Sequence, residues 1–329
     1  MRYKHFKNAD VRVSVLGLGS WGNGGADAQG NNFYGRFTEE DCLKAMDVLI
    51  GEGVNLIDTA PAYGWGSSER LVGEGVKGKR DKVLISTKCG LLPDPEEECI
   101  NSASYPSVIR QCEESLKNLQ TDYIDFYFIH EPDRETPIEE TMGALEELRR
   151  QGKIRFTGLS NFTKEETEEA MKYGRIDVIQ PSFSLLNQTN KEMILWAKEQ
   201  GIDTMSYGTL GGGILSGIYR QIPEFEENDI RNNFYSLYYR EPVFSNIMKL
   251  LETMDDIAKT HNRPVSQVAV NWSTQQPYIG TALIGAHNAG KAKRNCEAFE
   301  WTLTDDEISR ISLEAERLGL TMLEPSWDE

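Results

Sequence analysis

A closed parallel (β/α)8 barrel is the fold class predicted by the sequence, and three observations predict it. Strand-like and helix-like segments alternate from Val13 to the C-terminus. Eight strand candidates fit within 329 residues. The first strand runs into Gly17-Leu18-Gly19-Ser20-Trp21-Gly22, which lacks the G-x-G-x-x-G turn expected of an open doubly wound sheet.

The strand candidates are short and rich in Val, Ile, Leu and Phe: Ser14–Leu18, Asn55–Asp58, Lys82–Thr87, Ile124–His130, Ile154–Leu159, Asp177–Gln180, Gly201–Ser206 and Thr281–Ile284. Between them, Glu39–Glu52, Ser107–Asn118, Glu139–Arg150, Lys164–Lys172 and Lys191–Gln200 carry charges on one face and read as amphipathic helices. Gly51-Glu52-Gly53 and Gln151-Gly152 supply helix-ending glycines just before a strand. Tyr3–Phe6 and Val11–Val13, joined by Asn8-Ala9-Asp10, read as a hairpin that could close the barrel bottom. Gly208–Pro242 is a long irregular region rich in Gly, Tyr and Asn, a length usually tied to function. With no linker and no low-complexity run, residues 1–329 read as a single barrel domain.

Thirty-five Lys and Arg against 52 Asp and Glu leave a net charge of −17. Such a chain repels nucleic acid and anionic membranes, so neither is an expected partner. It also repels anionic cofactors, so a phosphate site would need a local basic patch. The N-terminal stretch has no apolar h-region, and no apolar run approaches a membrane span of about 18 residues. Five cysteines, none spaced C-x-x-C, suggest neither a disulfide framework nor a thiolate metal site, and a reducing cytoplasm is the expected compartment.

The active face of such a barrel lies at the C-terminal strand ends. There stand Asp58, with Tyr63 five residues on, Lys88, His130 with Glu131, Ser160 and Asn161, Gln180, and Tyr207. Each has a bland reading: a turn cap for Asp58, a packing ring for Tyr63, a solvated strand end for Lys88, a satisfied core histidine for His130. Jointly they suit proton transfer. A Lys ammonium near a Tyr hydroxyl stabilises phenolate and is expected to lower the Tyr63 pKa towards neutrality. Asp58 can hold the ammonium by a charge-assisted bond. His130 can orient a carbonyl oxygen, and Tyr63 can donate a proton to a carbonyl receiving hydride.

Asn55-Leu56-Ile57-Asp58-Thr59-Ala60 followed by Tyr63-Gly64-Trp65-Gly66-Ser67-Ser68-Glu69 resembles the signature of the aldo-keto reductase family. So do Ile85-Ser86-Thr87-Lys88, Leu119-Gln120-Thr121-Asp122-Tyr123-Ile124-Asp125 with His130, Gly152-Lys153-Ile154-Arg155, and Gly158-Leu159-Ser160-Asn161-Phe162. The resemblance covers nearly the whole chain. It implies a catalytic tetrad of Asp58, Tyr63, Lys88 and His130, with Tyr63 as general acid-base in the interconversion of an aldehyde, ketone or sugar carbonyl and an alcohol. It implies that Ser160, Asn161 and Gln180 hold the nicotinamide carboxamide and that Tyr207 stacks on its ring. It implies further cofactor contacts from Ser20 and Trp21, from Gly208, Thr209, Leu210 and Gly211 along the pyrophosphate, and from Arg231, Gly285, His287, Lys291 and Asn295.

The basic patch is Lys291-Ala292-Lys293-Arg294, opening the helix after the eighth strand. An ordinary solvated helix face is its bland reading. The chain departs from the family pattern here: His287 stands where many relatives carry Arg or Lys, Ile218 where Lys is frequent, and Arg294 where Glu is frequent. NADP is the expected cofactor, with NAD as the alternative. By position, Trp21, Trp65, Glu131 and the Tyr-rich Asn232–Arg240 loop would line the pocket of a small-molecule carbonyl or alcohol substrate. Two rival readings stand beside this one. A metal-dependent hydrolase would need His and carboxylate ligands at several strand ends, whereas the chain has four His, only one of them at an early strand end, so no metal is expected. A cofactor-binding regulatory subunit of the same family would share the tetrad without turnover. The sequence leaves oligomeric state, natural substrate and physiological direction open.

Overall fold

The computed structural model describes residues 1–23, 37–94, 98–227 and 229–327. Two strands, β1 (Tyr3–Phe6) and β2 (Val11–Ser14), pair antiparallel as the N-terminal hairpin. The barrel strands follow: β3 (Leu16–Gly19), β4 (Leu56–Asp58), β5 (Leu84–Asp94), β7 (Ile124–Ile129), β8 (Ile154–Ser160), β9 (Val178–Gln180), β10 (Asp203–Ser206) and β11 (Thr281–Ile284). They pair in parallel in the order β4-β3-β11-β10-β9-β8-β7-β5, and pairing of β4 with β5 closes the ring. The helices are α1 (Glu39–Gly51), α2 (Ser67–Gly75), α3 (Tyr105–Leu119), α4 (Ile138–Arg150), α5 (Lys164–Ala170), α6 (Lys191–Glu199), α7 (Val243–His261), α8 (Val265–Gln275), α9 (Ala289–Glu297) and α10 (Asp305–Arg317). This is the (β/α)8 barrel expected from the alternation. No helix among the described residues is long and apolar enough to cross a membrane.

Several boundaries differ from the sequence reading. Ser14 ends the hairpin rather than opening the first barrel strand, because the chain turns at Val15. Gly201 sits in a turn at φ 79°, so β10 begins at Asp203. The third barrel strand does not stop at Thr87. It runs on to Asp94 and folds back as β6 (Glu98–Ser102), an antiparallel hairpin standing above the barrel rim. Lys88 therefore lies inside a strand, in register with Phe128. Gly208–Pro242 holds three short 3-10 segments, Gly211–Ser216, Ile230–Asn232 and Ser236–Tyr239, with position 228 outside the described residues.

Strand side chains alternate between two cores. One set, including Leu18, Ile57, Ile85, Tyr127, Ile129, Leu159 and Ile179, packs outward against the helices. The other, Leu56, Phe126, Phe128, Val178, Met205 and Leu283, forms a separate cluster on the barrel axis. The hairpin joins this inner cluster from below through Phe6 and Val13, with Phe6 fully buried and its ring 6.0 Å from that of Phe126 in an edge-on contact. Lys4 fixes the hairpin by donating to the backbone carbonyls of Thr274 at 3.1 Å and Gln276 at 3.0 Å, and to that of Ile279. Phe6→Ala removes the plug and leaves a cavity in an otherwise closed axis. A loss of about 3–5 kcal/mol is expected, read from the urea midpoint at unchanged slope.

Candidate active site

The alternation that fills the barrel also selects the residues at its mouth. Five positions at the mouth lie two residues beyond an apolar inward one. Asp58 follows Leu56, His130 follows Phe128, Gln180 follows Val178, Tyr207 follows Met205 and Gly285 follows Leu283, each two residues on. On β5 the inward face reads Leu84, Ser86, Lys88, and on β8 it reads Phe156, Gly158, Ser160. Gly158 is required by packing: a Cβ there would lie 2.3 Å from Cε1 of Phe128.

Above this layer the polar groups meet. Lys88, 1% exposed, directs its ammonium at three oxygens: Asp58 Oδ2 at 2.8 Å, the Thr59 carbonyl at 2.8 Å and the Tyr63 hydroxyl at 3.1 Å. Asp58 Oδ1 accepts from Ser86 at 2.6 Å and from Gln180 Nε2 at 2.9 Å, so this buried carboxylate is fully partnered. Burial pulls the Lys88 ammonium below its ordinary range, against the raising effect of Asp58 and then Glu69. Glu69 is itself fully buried on the outer face and accepts from Thr87 and Asn118. The His130 ring is edge-on to Tyr63, with centroids 5.8 Å apart. Burial, then the Lys88 charge, holds His130 well below the usual histidine range and therefore neutral.

The Tyr63 phenol corrects one expectation. Its pKa is not lowered towards neutrality but pushed well above the ordinary value, first by burial and then by the charges of Asp58 and Glu131. The physical reason is burial: the dehydrated phenol resists ionisation, and the Lys88 ammonium, engaged by Asp58 at 2.8 Å and by Tyr63 at 3.1 Å, does not outweigh it.

Around the tetrad, Ser160 donates to the Gln180 carbonyl at 3.1 Å. Asn161, in a left-handed conformation at φ 61°, donates to the His130 carbonyl at 3.2 Å and to Glu131 at 2.5 Å, and accepts from the Tyr207 hydroxyl at 2.9 Å. Ser20 is fully buried, and its hydroxyl is engaged with that of Ser68 at 2.6 Å. After β10 the chain turns at Gly208 (φ 78°), and Gly211, Gly212 and Gly213 all take positive φ, with the Gly211 and Gly213 amides donating back to the carbonyls of Gly208 at 2.8 Å and Leu210 at 3.0 Å. Thr209 Oγ1 is buried there without a partner. Asn288 caps α9 by accepting from the Lys291 amide, and Asn295 donates to the Gly285 carbonyl at 3.4 Å. Lys291 contacts His287, whose ring stacks on Phe37 with centroids 5.0 Å apart. Burial, then Lys291 and Arg231, pushes His287 down to about 4, so it adds no positive charge at neutral pH. Lys291 is lowered first by burial and then by the neighbouring Arg231 and Arg294, which marks three cations gathered at one place. Arg231 is anchored by Asp229 and the Tyr219 hydroxyl. An anion seated among these groups would relieve their repulsion, so the residues present fit a phosphorylated cofactor.

Trp21 borders Tyr63 with centroids 6.4 Å apart and meets Phe234 edge-on at 5.9 Å. Phe234 lies in the Asn232–Arg240 loop named from the sequence. It also meets Trp327 at 5.3 Å, a ring beyond the last helix that the sequence reading did not single out. The only signal was an aromatic in a proline-containing tail. Trp65 is half-buried and takes a positive φ of 47°.

A family model described as "Aldo/keto reductase family" matches residues 15–313. The chain belongs to the aldo/keto reductase family. Among its relatives are the aldo-keto reductase YhdN of Bacillus subtilis, 35% identical over 95% of this chain and 93% of the relative. The NADH-specific methylglyoxal reductase of Escherichia coli is 28% identical over 94% of this chain and 97% of its own length. Among solved structures, the glycerol dehydrogenase AKR11B4 from Gluconobacter oxydans superposes with a TM-score of 0.85 at 29% identity, covering 97% of each chain. This aldo-keto reductase is an oxidoreductase of that family.

The ion pair under Tyr63 has a measurable signature. Lys88→Met strands the Asp58 carboxylate in a site 2% exposed, and a loss of about 3–5 kcal/mol is expected. Adding Asp58→Asn recovers part of that loss in a urea titration. A double variant no more stable than Lys88→Met would mean that the stranded charge is not the cause.

Proposed function

We propose that this aldo-keto reductase interconverts a small carbonyl compound and its alcohol by hydride transfer with NADP(H), NAD(H) being the alternative, and that Tyr63 is the general acid-base. The observation that carries the reading is the triple engagement of the Lys88 ammonium with Asp58, Thr59 and Tyr63. The Tyr63 oxygen accepts from Lys88, so its own hydrogen points away from the ammonium, free for a substrate oxygen. Burial keeps that hydrogen in place, and the resting phenol is the acid that carbonyl reduction needs. As the proton leaves, the forming phenolate already faces Lys88 at 3.1 Å, an attraction that grows only along the reaction. Neutral His130 can donate an N–H to the same carbonyl oxygen and hold it against Tyr63.

A bound nicotinamide cofactor supplies the hydride. Ser160, Asn161 and Gln180 would hold its carboxamide, Tyr207 would lie against its ring, and Trp21 and the backbone after Ser20 would border it. Gly208–Gly211 with Thr209 and Leu210 would follow the diphosphate, and Arg231, Gly285, His287, Lys291 and Asn295 would receive the adenosine end. The cation cluster favours NADP; the name of the Escherichia coli relative keeps NAD as the alternative. Relatives named for methylglyoxal and glycerol support small oxygenated substrates. The reading places the reaction in the cytoplasm, in keeping with five cysteines of which no two are spaced C-x-x-C.

Tyr63→Phe keeps the ring and removes the proton donor. Carbonyl reduction is expected to fall by about 10²–10⁴-fold, with the cofactor dissociation constant within about twofold of the parent. Undiminished turnover would remove Tyr63 from its role, and a parent protein that binds cofactor without turning over any aldehyde would favour the regulatory-subunit reading instead. Lys291→Ala is expected to weaken NADPH by about tenfold and NADH by less than threefold in a fluorescence titration. Equal weakening of both would favour NAD.

A further inference from the structure

Glu131 follows His130 at the mouth, and the proton chemistry proposed above does not use it. It is half-buried, and its Oε1 accepts from Asn161 Nδ2 at 2.5 Å. Asn161 is in turn fixed by the His130 carbonyl at 3.2 Å and the Tyr207 hydroxyl at 2.9 Å, so the carboxyl is tethered rather than free to swing into solvent. From that position its charge acts on both Tyr63 and Tyr207. Glu324 acts on Tyr207 from the C-terminal tail as a second negative group. The cations nearby are otherwise engaged. Lys88 is bound to Asp58, and Arg134, on the same loop as Glu131, pairs with Glu166 at 3.1 Å with its side chain 75% exposed.

We propose that Glu131 sets the charge selectivity of the site: a tethered carboxylate beside the reacting position disfavours carbonyl compounds bearing a carboxylate on the carbon next to the carbonyl and admits uncharged ones. The proposal rests on the assignment of Tyr63 as proton donor, because that assignment fixes where the substrate carbonyl lies. A substrate oxygen on the Tyr63 hydroxyl puts the neighbouring substituent within range of Glu131, in a partly dehydrated site where like charges are weakly screened. Discrimination of this kind comes from a repulsive element built against the unwanted ligand. Selectivity then tracks the ionisation of Glu131. Burial pushes its carboxyl up to about 7, against the lowering effects of the Asn161 bond and Arg134, so the repulsion is weak below that pH and full above it. The groups facing Glu131 do not blur this window: Tyr63 and Tyr207 are raised above their ordinary values, and His130 is held neutral.

The test compares glyoxylate with its methyl ester, nearly equal in shape, with saturating cofactor at pH 5.5 and pH 8.5. The readout is the ratio of kcat/KM for ester over acid, so a loss common to both substrates cancels. In the parent enzyme the ratio is expected to rise about tenfold between the two pH values, while glyoxylate stays an anion throughout. In Glu131→Gln it is expected to stay within twofold of the parent value at pH 5.5 at both pH values. A parent ratio that does not change with pH overturns the proposal without need of any variant, and so does a Glu131→Gln ratio that still rises as the parent's does. If the parent turns over neither compound while Tyr63→Phe matches it on every other aldehyde, the proton-donor assignment fails and this proposal falls with it.

Discussion

The period of two along a closed ring of parallel strands is the constraint on which the rest of the molecule depends. With both faces of the sheet covered, every inward side chain must fit a narrow axis. The lower positions are filled by Phe126, Phe128, Val178, Met205 and Leu283. One step higher the axis opens to the mouth, and the same strands present Asp58, Lys88, His130, Ser160, Gln180 and Tyr207. The apolar floor beneath this layer makes its charges interact strongly. Lys88 and Asp58 are stable there because each polar atom finds a partner, from Ser86, Gln180, Thr59 or the other's charge.

Much of this was legible in the sequence because period and spacing are sequence properties. The hairpin, the eight strands and the strand-end residues follow from alternation alone. What was not legible has identifiable causes. Helix α8 buries Gln267, Asn271, Ser273 and Thr274 along with its apolar residues, so no polar face marks it. Strand β5 continues beyond the barrel because it gains a partner in β6, a pairing set by tertiary contact. The direction of the Tyr63 shift is set first by burial and then by the charges of Asp58 and Glu131, and the depth at which a ring ends up is not encoded in any motif. Trp327 reaches Phe234 only after α10 has brought the tail back across the mouth.

The two ends of the site show different ways of handling charge in an acidic chain. At the tetrad, opposite charges are paired within hydrogen-bonding distance and buried. At the start of α9, Lys291 is lowered first by burial and then by its neighbours Arg231 and Arg294, while Arg231 is held by Asp229. The first arrangement satisfies every charge internally, whereas in the second Lys291 has only the neutral His287 as its side-chain partner among the described residues. A net charge of −17 makes that local concentration of cations more selective, because the surrounding surface turns anions away.

The hairpin below the barrel has a consequence for the order of assembly. Its anchors lie far along the chain: Arg2 donates to Asn271 at 2.5 Å, Lys4 to the carbonyls of Thr274, Gln276 and Ile279, and Thr281 to the Ser14 carbonyl at 2.8 Å. Phe6 shares its cluster with Met205 and Leu283. Contacts across that separation form last, because closing so long a loop costs entropy before any contact returns it. A ribosome that has released only the first two hundred and some residues (roughly, by that spacing) has therefore made every wall of the barrel but the last, with its floor held on the early side by Asn55 and Phe126 and still lacking its ties to the final helices and strand.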